Sequence, residues 1–142
     1  MDGTIVDRLR EFIGLLNEEA ENGSIIVVEG KRDVEALMRI GFRGNVTMLN
    51  RFKGIAHFVD NQEPIGKKVI LLLDMDRTGK HLTSRLMSQL QHKGKNVSLF
   101  YKKTLAKITN GKIRHVEELG AYAPYVCGLG GTAGRKDLYF YI

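Results

Sequence analysis

At 142 residues, with 43% hydrophobic and 27% charged content and a net charge of +6, the chain has the make-up of one ordinary globular domain. Its single cysteine, Cys127, excludes a disulfide framework and a cysteine zinc site, and suits a reducing, cytoplasmic setting. No apolar run approaches the roughly 18 residues of a membrane span, and the N-terminus lacks the basic and long apolar regions of a signal peptide.

Ile5, Leu9, Phe12, Ile13 and Leu16 recur at helical spacing, so residues 4–21 are expected to form an amphipathic helix ended by Asn22-Gly23. The apolar run 25–29 reads as a first strand, followed by a helix over 31–40 with Val34, Leu37 and Met38 facing inward and Gly41 at its end. A short strand at 45–49, a short helix at 54–61 and a Pro64–Gly66 loop lead to a third strand at 68–73. Leu82, Leu86, Met87 and Leu90 mark a long helix at 77–92 that stops before Gly94, and a fourth strand is expected at 96–100. Beyond 101 the pattern weakens: a short helix at 116–122, a glycine-rich loop at 128–134 and a last strand at 137–142. Alternating strands and helices imply right-handed βαβ units, hence an α/β fold with a mainly parallel sheet of about four strands flanked by helices.

Two of the strands end in acid. Ile25-Ile26-Val27-Val28 runs into Glu29-Gly30, and Val69-Ile70-Leu71-Leu72-Leu73 runs into Asp74-Met75-Asp76. In open α/β sheets the ligand lies outside the carboxyl ends of the strands, so these carboxylates are expected on one edge. Like charges so gathered need a proton or a cation between them, and a hard divalent ion such as magnesium is the natural guest. Glu29 is placed to bind metal or to act as general acid/base. Gly30 lets a phosphate approach the backbone, and Lys31 adds a positive charge beside it. Asp33 in a first helical turn is also explained by the helix dipole, and Asp76 by capping the helix at Arg77.

The charge is unevenly spread. From Arg77 to Val116 there are ten bases and no acid, including Arg77, Lys80, Lys102, Lys103 and Arg114. A basic half fits a polyanionic partner, RNA or DNA, with a solvated surface as the plainer alternative.

Val28-Glu29-Gly30-Lys31-Arg32-Asp33 together with Asp74-Met75-Asp76-Arg77-Thr78-Gly79 resembles the two motifs of the Toprim domain, a Rossmann-like fold of topoisomerases, bacterial primases and certain nucleases. Met75 stands where that family usually has proline. The resemblance implies that Glu29 is the general acid/base and that Asp74 and Asp76 hold Mg2+, with Mn2+ as an alternative. It places the Toprim domain at 24–122, preceded by a packed helix at 1–23 and followed by a C-terminal extension at 123–142. Within the family the likeness is to small stand-alone Toprim proteins and the ribosomal-RNA maturation nuclease. Ile113-Arg114-His115-Val116-Glu117 is similar to a segment of that nuclease, which makes Glu117 a further acid to consider.

Other readings fit less of the chain. Asp74-Met75-Asp76-Arg77-Thr78 matches the nucleophile motif of haloacid-dehalogenase-like phosphatases, but no acidic pair follows at the end of an apolar strand. Gly79-Lys80 lacks the first glycine and the Ser or Thr of a P-loop. His57, His81, His92 and His115 show no paired zinc spacing and read as surface or loop residues. The length leaves no room for the separate DNA-gripping domain of a topoisomerase, and one cysteine excludes the usual zinc domain of a primase. A magnesium-dependent nuclease is the expected activity, with a non-catalytic nucleic-acid-binding module or an accessory protein related to primases and topoisomerases as the alternative.

Overall fold

The computed structural model of the chain describes residues 3–62 and 67–127. The elements are α1 (Gly3–Glu21), β1 (Ile25–Val28), α2 (Lys31–Arg39), β2 (Val46–Met48), α3 (Ile55–Asp60), β3 (Lys68–Leu71), α4 (Arg77–His92), β4 (Asn96–Ser98), α5 (Phe100–Ile108) and the short α6 (Ala123–Val126). Two 3-10 segments, Leu49–Arg51 and Val116–Tyr122, lie between them. The expected glycine-rich loop at 128–134, the strand at 137–142 and the Pro64–Gly66 loop fall outside the described residues.

The four strands form one sheet in the order β2-β1-β3-β4, all parallel. Ile26 pairs with Val46 on one side and Ile70 on the other, and Ile70 pairs with Ser98. Successive side chains on a strand point to opposite faces. Ile26, Val28, Ile70 and Leu72 therefore pack with α1, α2 and α5, while Val27, Val69, Leu71 and Leu73 pack with α3 and α4. Both faces are covered, which is why the strands read as unbroken apolar runs. The chain leaves β1 toward β2 on one side and reaches β3 on the other. The sheet's switch point is thus between β1 and β3, where ligands of such sheets bind.

The first helix matches its spacing: Ile5, Leu9, Phe12, Ile13 and Leu16 are all buried against the sheet. Three expectations need correction. Met38 is 59% exposed, because α2 turns Asp33, Ala36 and Leu37 inward and lays Ala36 and Arg39 beside Gly120 of the second 3-10 segment. β3 ends its ladder at Leu71, though Leu72 stays extended enough to donate its N–H to the Val27 carbonyl at 2.8 Å. β4 stops at Ser98, and residues 100–108 form a helix where no element was expected. Leu99-Phe100-Tyr101 reads as a continuing strand, yet Tyr101, Leu105 and Ile108 recur at helical spacing and all three are buried.

A polar tie fastens α1 to the layers beneath it. Glu19 accepts hydrogen bonds from Lys68 Nζ at 2.8 Å, Tyr101 Oη at 3.0 Å and Ser24 Oγ at 2.8 Å. Burial alone raises a carboxyl's pKa, but here these bonds together outweigh it and hold Glu19 below its ordinary value. Tyr101→Phe removes one bond to a charged acceptor without changing the ring. We expect a loss of about 1–2 kcal/mol in urea unfolding; an unchanged midpoint would show that the hydroxyl contributes nothing to this junction.

Candidate functional site

The site forms where β1 and β3 end side by side. Glu29 follows β1 and Asp74 follows the extended Leu72-Leu73 that prolongs β3. The Asp74 N–H donates to Glu29 Oε2 at 3.1 Å, so the two expected acids meet across the switch point. Asp74 Oδ1 accepts the N–H of Val116 at 2.8 Å. Asp76 does two jobs. Its Oδ1 accepts the N–H of Gly79 at 2.7 Å and caps α4, and its Oδ2 lies 2.9 Å from His115 Nε2. Gly79 is required here by close approach: a Cβ at that position would collide with the Asp74 carbonyl oxygen.

One ligand atom each from Asp74, Asp76 and His115 lies within 4.8 Å of the others, and all three residues are half-buried. Two carboxylates and an imidazole form a donor set that a divalent cation can use. His115 is held in place from behind. Its Nδ1 lies 3.4 Å from Glu118 Oε1, and the same oxygen accepts the His115 N–H at 2.8 Å and the Arg114 N–H at 3.0 Å. A carboxylate behind an imidazole fixes the ring's orientation, as it does in metal sites. Glu29 is outside this close set and contacts Asp74 instead. Burial lifts the Glu29 carboxyl above its ordinary pKa, and the charges of Asp74 and Asp33 push it further.

The other expected residues divide into three groups. Gly30, Lys31, Asp33 and Glu117 line, with Glu29 and Asp74, a cleft of about 680 Å³ on one side of the acidic loop. Within it the buried Asp33 accepts the Gly30 N–H at 3.1 Å, closing the first turn of α2, and its own pKa is raised by burial. Arg77, Lys80 and Lys103 are exposed. Lys102, expected to reach the surface, is only 8% exposed: its Nζ donates to Thr83 Oγ1 at 2.8 Å and so joins α5 to α4. Burial lowers the pKa of Lys102, as does the charge of Lys80, while Glu29, Asp74 and Asp76 pull the other way.

His115 is the residue that sequence reasoning set aside. The resemblance of its segment points to Glu117, and histidine spacing carries no signal for His115. The contact joins residues 39 apart, where the Met75 N–H bonds the Arg114 carbonyl and the Val116 N–H bonds Asp74, holding the loop after α5 against the acidic turn. Asp76 raises the His115 pKa above its ordinary 6.5, and the Asp76 carboxyl is itself lowered by the Gly79 N–H first and by His115 next. The raised His115 pKa makes the pair's stabilisation complete below about pH 6.5 and lost as pH rises through the folded-state value. The lowered Asp76 pKa sets the acid limit, below which the stabilisation is lost again. Histidine NMR titration in chelator should give a His115 midpoint above 6.5 that drops in Asp76→Asn. A midpoint at or below 6.5 in the parent protein would rule out the pair.

The Toprim-domain family profile matches residues 23–101. The UPF0292 protein of Methanosarcina barkeri is 31% identical over 132 residues, covering 93% of this chain and 92% of its own. The UPF0292 protein of Methanocaldococcus jannaschii is 34% identical over 116 residues, covering 82% and 90%. Among solved structures, a putative protein from Aquifex aeolicus superposes with a TM-score of 0.64 at 32% identity, over 76% of this chain and 94% of that one. With its parallel sheet, its acidic switch point and these relatives, the chain belongs to the Toprim-domain family.

Proposed function

We propose that the chain hydrolyses phosphodiester bonds of nucleic acid with a divalent cation, magnesium or manganese, as a small Toprim nuclease. The observation that carries this reading is the convergence of Asp74, Asp76 and His115 within 4.8 Å, beside a Glu29 whose pKa is raised. Asp74, Asp76 and His115 would hold the cation, which would supply Lewis acidity at a phosphate oxygen. Glu29 holds or moves the proton at the reacting oxygen, a task suited to a carboxyl whose pKa burial raises. Gly30 keeps the cleft floor free of a side chain. Lys31, Arg77, Lys80 and Lys103 hold the phosphate backbone, and Lys102, buried within Coulombic reach of Glu29, Asp74 and Asp76, offsets their charge. No described helix is long and apolar enough to cross a membrane.

A binding module that does not cut is the second reading. It is favoured by Asp76, whose two carboxylate oxygens are both engaged by protein groups. Cleavage of labelled RNA and DNA panels with magnesium, manganese and chelator separates the two. On the hydrolase reading a substrate is cut only with metal, and Glu29→Gln slows cutting by about 10²–10⁴-fold while affinity holds. Absence of cutting with every substrate and metal favours the binding module.

The ligand set has its own test. Asp74→Asn and Asp76→Asn should each weaken magnesium binding in calorimetric titration. Imidazole favours later transition metals over magnesium. His115→Ala should therefore weaken nickel binding more than magnesium binding. Equal losses would remove the imidazole from the ligand set.

A further inference from the structure

A second cavity, of about 590 Å³, lies across the acidic turn from the cleft that holds Glu29. Met75 divides the two: Asp74 lines the acidic cleft and Met75 lines the second cavity. It sits at the β4 edge of the sheet, where α4 and α5 flank an outermost strand of only three residues. Its walls are mostly apolar, built by Met75, Met87, Leu99, Ala106 and Ile113. Its charged residues are Lys80, Lys102, Lys103 and Arg114, and no carboxylate lines it. Lys102 is the buried one, with one of its three N–H groups donated to Thr83 and held at the junction of the two helices.

We propose that this cavity is a subsite for an unstacked nucleobase, so that the substrate presents an unpaired nucleotide next to the phosphate that a cation at Asp74 and Asp76 would polarise. The inference rests on the nucleic-acid reading above and names the class of substrate. The occupant must be apolar over most of its surface, yet carry negative charge where it meets the rim. A nucleotide has this division: a base with apolar faces and a phosphate on each side of its sugar. The cavity size falls within the range of small-molecule pockets, about 300–1,000 Å³. A base inside a duplex is stacked and paired, and it cannot enter such a cavity without leaving the helix. Single-stranded segments present bases freely, and their recognition joins stacking on aromatic rings or Arg guanidinium planes to cations along the backbone; here Arg114 supplies the guanidinium and aliphatic and thioether groups the rest of the seat. Met75 also acquires a reason. Its flexible thioether makes the wall that the base lies against.

The test is binding in chelator, where no metal contributes and loss of cleavage cannot be confused with loss of the subsite. The probes are a fluorescein-labelled single-stranded oligonucleotide, its blunt duplex, and the same strand with every base removed. The single strand should bind roughly tenfold more tightly than either of the others, the scale of seating one base. Ser84→Trp, at an exposed position on the cavity wall, and Ala106→Phe, deeper in it, should each abolish that preference and leave magnesium affinity unchanged. Methyl-labelled methionine spectra read the cavity directly. Adenosine monophosphate should shift the methyls of Met75 and Met87 and leave exposed Met38 in place, and inorganic phosphate should shift none of them. Equal affinity for all three probes, or Met75 and Met87 methyls that ignore the nucleotide, would overturn the proposal. Cleavage of an unpaired substrate by a protein that fails these tests would leave the hydrolase reading standing and remove the subsite alone.

Discussion

The repulsion among carboxylates at the end of β1 and β3 is the constraint around which this edge of the molecule is arranged. Glu29, Asp33, Asp74 and Glu117 line one cleft, and Asp76 stands one residue beyond Met75. Each described compensation is a donor or a positive charge supplied by a different part of the chain. Backbone N–H groups of Asp74, Gly79 and Val116 each bond an acid of the pair of strand ends. The starts of α2 and α4 both meet this edge, so the positive ends of two helix dipoles face it. The carboxylates of this edge favour the protonated forms of the buried Lys102 and of His115. Burial raises the pKa of Glu29, and the charges of Asp74 and Asp33 add to that rise.

The strand order makes the crowding possible. With β1 and β3 as neighbours and both parallel, two strand ends come side by side although 45 residues separate Glu29 from Asp74. The chain must then return to this edge a third time, after α5. Asn110 and Gly111 do that turning, with consecutive positive φ values of 53° and 74°, a conformation glycine takes without strain and asparagine more readily than most residues. The reversal carries 113–116 back toward the acidic turn.

Much of this was legible because it is local. An apolar run ending in acid is a property of adjacent residues, and so were the helix at α1 and the pairing of strand-end motifs that marks the family. The parallel sheet followed from alternation of elements. What escaped depends on tertiary contact. Lys102 looks like one more surface base beside Lys103, until α4 closes over it and Thr83 accepts its hydrogen bond. His115 has no sequence partner at metal-binding spacing, since its neighbour in space is Asp76. Met38 occupies a position that helical periodicity assigns to the core, but α2 buries the face that carries Asp33, Ala36 and Leu37 instead. α5 was hidden by a hydrophobic triplet at its start that prolongs the strand pattern across Leu99.

The reversal after α5 bears on where the domain can be cut. The family profile ends at residue 101, inside α5. Yet Arg114 holds the Met75 N–H, His115 faces Asp76 and Val116 bonds Asp74, all from beyond that limit. A fragment trimmed to the shared profile would keep every strand of the sheet and both acidic motifs, and would lose the clasp that sets the two aspartates against each other. The unit that holds these acids together is therefore larger than the shared profile, and its boundary is drawn by the loop after α5.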